Sequence, residues 1–253
     1  MLFRSLLGMR TAVLGSTSGI GRAVALTLAR SGADVIVHGR SSQDAAREVA
    51  EAVRAMGRRS LVLLADLGDR DAGTKFADAA WEHWGGLDAW LHLAGADTLT
   101  GSAGALSFEE KLELLWSVDV VSTIRLCREI GRRMKASGGG SIVTMGWDQA
   151  ETGMEGDSGE VFAATKGAIM AFPRSLASSL APEVRVNALA PGWIKTAWGD
   201  QASPNWQARV LRETPMARWG TPDDVAQAAR FLVDPASSFF TGQIVRVNGG
   251  AIR

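Results

Sequence analysis

Short apolar runs alternate along this chain with longer stretches whose apolar residues recur every three or four positions. Thr11–Leu14 reads as a strand, and a helical pattern follows through Val24, Leu26, Leu28 and Ala29. Ser31-Gly32-Ala33 stops that helix, and Asp34–His38 forms a second strand. Asp44–Met56 is a helix rich in Ala, Glu and Arg; Gly57 ends it before a third strand, Ser60–Ala65. Ala72–Trp84 then predicts a helix, Leu87–Leu93 a strand and Phe108–Ala136 a long helix. Ser141–Met145 is a strand after the Gly138-Gly139-Gly140 turn. A helix over Val161–Leu180, a strand over Val184–Ala188, a helix over Pro222–Val233 and a last strand over Gln243–Asn248 complete the series. Pro173 should remove a hydrogen bond from its helix and kink it.

Seven strands alternating with helices, most of them continuously apolar, predict an α/β fold with a parallel sheet covered on both faces. At 253 residues the chain suits one domain, residues 1–253. The least regular segments, Ala94–Ser107, Gly146–Glu160 and Pro191–Gly220, each follow a strand. Ligands of open parallel sheets gather beyond the carboxyl ends of strands, so these loops should line the site.

The first of those turns is Gly15-Ser16-Thr17-Ser18-Gly19-Ile20-Gly21, opening a helix. Its glycines let the backbone approach a pyrophosphate, while the helix offers free N–H groups and the positive end of its dipole. The second strand ends at His38-Gly39-Arg40-Ser41, without the carboxylate that would bind a ribose 2′-hydroxyl. Arg40 with Ser41 instead suits a 2′-phosphate, and the expected cofactor is NADP(H).

With these residues the chain resembles a classical short-chain dehydrogenase/reductase from about Gly8 onward. The resemblance implies a Rossmann-type doubly wound sheet and an oxidoreductase acting on a small molecule. It assigns Asp66-Leu67 to the adenine, Ala94-Gly95 to the cofactor after the fourth strand, and the Pro191-Gly192 loop with Ile194 and Thr196 to the nicotinamide half. It also implies a tyrosine proton donor four residues before a lysine, and a serine at the end of the fifth strand. Here the helix reads Phe162-Ala163-Ala164-Thr165-Lys166, and the whole chain contains no tyrosine. The serine position falls on Gly146-Trp147-Asp148, most closely on Trp147; an indole N–H can donate a hydrogen bond but cannot shuttle a proton. The family's paired asparagines read His92-Leu93, and its helix asparagine reads Asp119. Of the usual tetrad, Lys166 is what survives.

The groups left to move a proton are His92, Asp119 and Asp148, with Glu151, Asp157 and Glu160 in the adjacent loop. Asp119 could equally be a partner for Lys166, and His92 a packed imidazole. Asp148 should face the pocket. Nine tryptophans are present, and Trp147, Trp193, Trp198 and Trp206, with His92, are expected around the substrate; Trp219 is assigned to packing. Two readings stay open: a reductase of a C=N (iminium) or activated C=O group, or a catalytically inactive NADP(H)-binding protein that regulates or stabilises a partner.

Charge adds exclusions: 27 basic residues balance 27 acidic ones, so nothing draws the chain to nucleic acid or an anionic membrane. Cys127 is the single cysteine, which excludes an internal disulfide and a cysteine-rich metal site; no metal is expected, and a cytoplasmic setting is the default. Met1–Gly8 is too short an apolar patch for a signal segment. The resemblance implies a homodimer or homotetramer built through the two long helices and the last strand.

Overall fold

The computed structural model describes residues 5–251; half of the Met1–Gly8 patch, residues 1–4, therefore lies outside the described residues. Among them, β1 (Arg10–Leu14), β2 (Asp34–Gly39), β3 (Ser60–Leu64), β4 (Ala89–His92), β5 (Gly140–Met145), β6 (Val184–Pro191) and β7 (Ile244–Val247) form one sheet. Its order is β3-β2-β1-β4-β5-β6-β7 and every pairing is parallel. The order reverses between β1 and β4, which opens a crevice at the carboxyl ends of those two strands.

Alternating side chains explain why both faces are covered. Val13, Val35, Val37, Leu91, Val143 and Leu189 point to one core, shared with α1 (Gly19–Arg30), α2 (Gln43–Ala55) and α9 (Pro222–Val233). Their neighbours Ala12, Leu14, Ile36, Trp90, Ile142 and Val186 point to the other, shared with α3 (Arg70–His83), α5 (Ser122–Ala136) and α6 (Asp157–Leu180). Each of the five inner strands thus buries two apolar faces, which is why its sequence reads as a run rather than an alternation.

Three expectations change. The long helix predicted over Phe108–Ala136 is α4 (Phe108–Leu115) and α5 joined by a π-helical turn, Trp116–Val121, which contains Asp119. The stretch Pro191–Gly220 is not irregular throughout: it holds α7 (Ala197–Gln201) and α8 (Pro204–Glu213), the latter capped by the Ser203 hydroxyl. The helix that contains Pro173, α6, runs from Asp157 to Leu180, beginning four residues earlier than expected. Among the described residues, no helix is long and apolar enough to cross a membrane.

The glycine turn is held by contact distances. A Cβ on Gly21 would lie 2.1 Å from the Gly15 carbonyl oxygen, so the start of α1 rests directly on the turn. Gly21→Ala is expected to destabilise the protein by roughly 1–3 kcal/mol, because the turn must move to admit one methyl group. Urea unfolding of the two proteins measures it.

Candidate active site

Two adjoining cavities occupy the carboxyl edge of the sheet. The smaller, about 470 Å³, lies over β1, β2 and β4 and is lined by Gly15, Ser18, Arg40, Ser41, Asp66 and Leu67, and by Ala94 and Gly95. Gly15 has φ +76°, and a Cβ there would stand 2.7 Å from the Ala94 Cα, so the position requires glycine on two grounds. The Gly15 N–H donates to His38 Nδ1 at 3.0 Å. The opposite ring nitrogen therefore carries the proton and donates to the Ala65 carbonyl at 3.1 Å. Burial pushes the His38 pKa down to about 4, which keeps this bridge neutral. Sequence reasoning passed over His38, yet it ties the turn to the end of β3.

Ser16 and Gly21, expected to touch the cofactor, line neither cavity. Ser16 is buried and its hydroxyl accepts from the His38 N–H at 3.0 Å, so its role is to fasten the turn. Gly19, likewise expected to touch the cofactor, is also absent from both linings; its Cβ position is 3.7 Å from the Thr196 methyl. The Ser18 side chain makes no cap hydrogen bond, which leaves the first-turn N–H groups of α1 free of a side-chain acceptor.

The larger cavity, about 710 Å³, is lined by Ile20 of α1 and by Pro191, Gly192, Ile194 and Thr196 at and after the end of β6. Lys166, Phe162 and Trp147 meet there as well. Lys166 comes from α6 and places Nζ 2.8 Å from Asp119 Oδ2 on the π-helical turn. Both side chains are buried. The other Asp119 oxygen accepts the Ala96 N–H at 2.8 Å, and Lys166 donates to the Met145 carbonyl at 3.4 Å. The pair thus joins α6, the π turn and the loop after β4. Phe162 and Trp147 stand edge to face beside it, ring centroids 6.2 Å apart. Neither carries a transferable proton.

Two expected pocket residues do not reach the cavity. His92 is buried on the same face of β4 as Trp90, beneath α5, with Nε2 3.2 Å from the Ser122 hydroxyl. Burial pushes its pKa down to about 3, so it is a neutral packed imidazole. Asp148 is turned inward: it is fully buried, and its Oδ2 accepts from Asn248 Nδ2 at 3.2 Å behind Gly192. Of the nearby loop acids, Asp157 lines the cavity, whereas Glu151 is drawn to Arg246 and Glu160 is exposed on α6.

Trp193, Trp198 and Trp206 line the cavity. Trp219, expected to be packing, lies outside the cavity lining and packs behind them, with ring centroids 6.4 Å from Trp193 and 6.0 Å from Trp198. Trp193 and Trp198 stack, while Trp206 is tilted against the first and edge-on to the second. The indole N–H groups of Trp193 and Trp219 are buried without acceptors, so ring contacts hold the cluster. Lys111, Met154 and Glu155 also line this space and were missed, because nothing in their local sequence marks them.

A family model described as enoyl-(acyl carrier protein) reductase matches residues 15–251. The 3-oxoacyl-(acyl-carrier-protein) reductase of Aquifex aeolicus is 32% identical over 247 residues, covering 96% of this chain and 97% of that protein. A solved 7α-hydroxysteroid dehydrogenase complexed with NADH and 7-oxo glycochenodeoxycholic acid superposes with TM-score 0.88 at 29% identity, covering 98% of this chain and 96% of that one. A short-chain dehydrogenase from Burkholderia cenocepacia in complex with NADP gives 0.86 at 29%, covering 98% and 99%.

Burial raises the Asp148 pKa from the ordinary carboxyl range to about 6, against the weaker lowering effect of Asn248. The folded protein then holds this proton more tightly than the unfolded chain. Stability should fall as pH rises from about 4 to about 6 and stay lower above it. Asp148→Asn is expected to be more stable than the parent at pH 7, by about 1–3 kcal/mol, with the difference closing toward pH 4. Denaturant unfolding across that pH range provides the check.

Proposed function

The chain belongs to the short-chain dehydrogenase/reductase family of oxidoreductases, and on that premise we propose that it is an NADP(H)-dependent reductase of a cationic C=N bond. The residues at the crevice fit the coenzyme. Gly15 and the uncapped start of α1 form a cradle that a Cβ would fill, suited to the pyrophosphate. Arg40 and Ser41 would take the 2′-phosphate, Asp66 and Leu67 the adenine, and Lys166, Ile194 and Thr196 the nicotinamide half. When bound, the coenzyme supplies a hydride, and its delivery to the carbon of C=N⁺ leaves a neutral amine that needs no proton.

The observation that carries this reading is the buried Lys166–Asp119 ion pair beside Phe162 and Trp147. Reduction of a ketone leaves an oxyanion, which calls for a proton donor at the wall where these two apolar rings stand. A cationic substrate has the opposite requirement: it must not meet an uncompensated ammonium. Two unit charges about 5 Å apart repel by roughly 3 kcal/mol at an effective dielectric near 20. Asp119, 2.8 Å from Lys166 Nζ, cancels that field. Phe162 and Trp147 then offer ring surface to the cation in place of acids.

With NADPH in excess, a cyclic iminium such as protonated 1-pyrroline should be reduced faster than cyclohexanone. Asp119→Asn, which restores the bare ammonium, should lower kcat/KM for the iminium by at least about tenfold. Faster ketone turnover, or NADPH binding with no turnover on either substrate, would overturn the reading.

Arg40 stands exposed at the rim of the smaller cavity with no carboxylate beside it on β2. Arg40→Ala should raise the dissociation constant for NADPH by about 10–100-fold while changing that for NADH little, as read by coenzyme fluorescence titration.

A further inference from the structure

The larger cavity is walled by aromatic rings from two separate segments. Trp147 and Phe162 come from the end of β5 and from α6, and Trp193, Trp198 and Trp206 from the chain after β6. Trp193 is buried behind the others, and the four partly exposed rings of Trp147, Phe162, Trp198 and Trp206 offer more surface than a single small ring can cover. Polar recognition by these walls is sparse, as the buried Trp193 N–H has no acceptor and Phe162 has no polar atom.

The charges around this space have a sign. Lys166 is matched by Asp119. Arg209 on α8 is shared between two carboxylates, Glu155 in the cavity wall and Glu213, so that trio is negative by one. The neighbouring guanidinium holds the Glu155 carboxyl below its ordinary range, which keeps it ionised. Asp157 and Lys111, both in the lining, make no ion pair among the described residues and cancel each other. The walls and their partners therefore carry one surplus negative charge. The Arg209 guanidinium itself lies over the Trp206 ring, 4.7 Å from its centroid, so a cation already rests on one of these indoles.

We propose that the cavity is a binding site for a planar, fused-ring monocation, an aromatic bicyclic iminium or larger, held between the two aromatic walls. The proposal rests on the C=N reading above for what happens to the ligand, but the recognition it describes is a matter of binding alone. A fused ring system covers both walls at once, and a single positive charge matches the surplus negative one. Indole faces attract such a cation through their quadrupole, and they do so more strongly in a space from which water is displaced.

Isothermal titration with three ligands that the enzyme need not turn over tests it, with and without oxidised NADP present. N-methylisoquinolinium is the fused cation, isoquinoline near pH 8 its neutral counterpart, and N-methylpyridinium the single-ring cation. The fused cation should bind at least about tenfold more tightly than either of the others. Trp198→Leu should weaken it by about tenfold. Asp157→Asn, at an exposed position that cannot unfold the core, should weaken N-methylisoquinolinium several-fold and leave isoquinoline unchanged. Equal or tighter binding of isoquinoline would overturn the cation, and equal or tighter binding of N-methylpyridinium the fused plane. Preference for the fused cation with faster ketone turnover would leave this site standing and remove the C=N reading. Reduction of 1-pyrroline without that preference would do the reverse.

Discussion

A buried ion pair, Lys166 with Asp119, governs the architecture around the larger cavity. Taking two charges out of water is costly, and their attraction offsets the cost only when the geometry is close and the remaining polar atoms are satisfied. Here the carboxylate is satisfied twice, by Lys166 at 2.8 Å and by the Ala96 N–H at 2.8 Å. Removing one partner would leave the other charge buried alone, a penalty of about 3–5 kcal/mol. The helix therefore has to present Asp119 at this point, and the π-helical turn Trp116–Val121 is the stretch of backbone from which it does so. Gly95 has to be small, since a Cβ there would sit 2.8 Å from the same carboxylate. One interaction thus constrains a helix, a turn and a loop.

The sheet and its layers were legible in the sequence because the period of two survives in runs that are apolar throughout. Val13 and Leu14 pass to different cores, as do Trp90 and Leu91, and every strand was located to within a few residues. The glycine turn was legible for the same physical reason: only glycine tolerates the φ of Gly15 and the nearness of Ala94. Side-chain direction beyond the strand ends was not. Asp148 follows the last pleated residues of β5 by three positions, and its inward turn is set by Asn248, a hundred residues away. Of the two readings of His92, the packed imidazole follows from the strand itself, because the alternation that buries Trp90 also buries the residue two further on. The π turn leaves no mark in Trp116–Val121, whose composition would serve an α-helix equally well. The start of α8 did leave one, in Ser203 before Pro204, a cap and a first-turn proline inside a stretch that otherwise reads as loop.

Beneath the site, several polar atoms are buried without hydrogen-bond partners: His92 Nδ1 and Thr144 Oγ1 at the ends of β4 and β5, and Asp148 Oδ1 just beyond. Asp119 Oδ2 belongs with them only formally, since it meets Lys166 as an ion pair rather than as an aligned hydrogen bond. Each such group costs about 1–3 kcal/mol relative to a satisfied one. Their concentration at one edge of the sheet, against a well-satisfied opposite edge where Arg10 is paired bidentately with Asp88, marks where stability has been given up. Local rules are broken where a site has to be built, and the rest of the fold compensates.

The same contrast explains the side-chain chemistry of the larger cavity. A site that reduces a carbonyl needs polar groups aimed at the oxygen, and these must be buried, oriented and hydrogen-bonded at some expense to the fold. Phe162 and Trp147, the rings that stand here, carry no such expense and gain apolar contact, but they offer no means of stabilising an oxyanion. What remains able to act on charge is the ring surface of the tryptophans and the balance of ion pairs around them. Both favour a positive centre over a negative one, as Asp119 cancels Lys166 while Glu155 and Glu213 outnumber Arg209. On the proposed reading, the absence of a phenol and the carboxylate on the π turn are two parts of one electrostatic arrangement, suited to a cation that is neutralised as it reacts rather than to a developing anion.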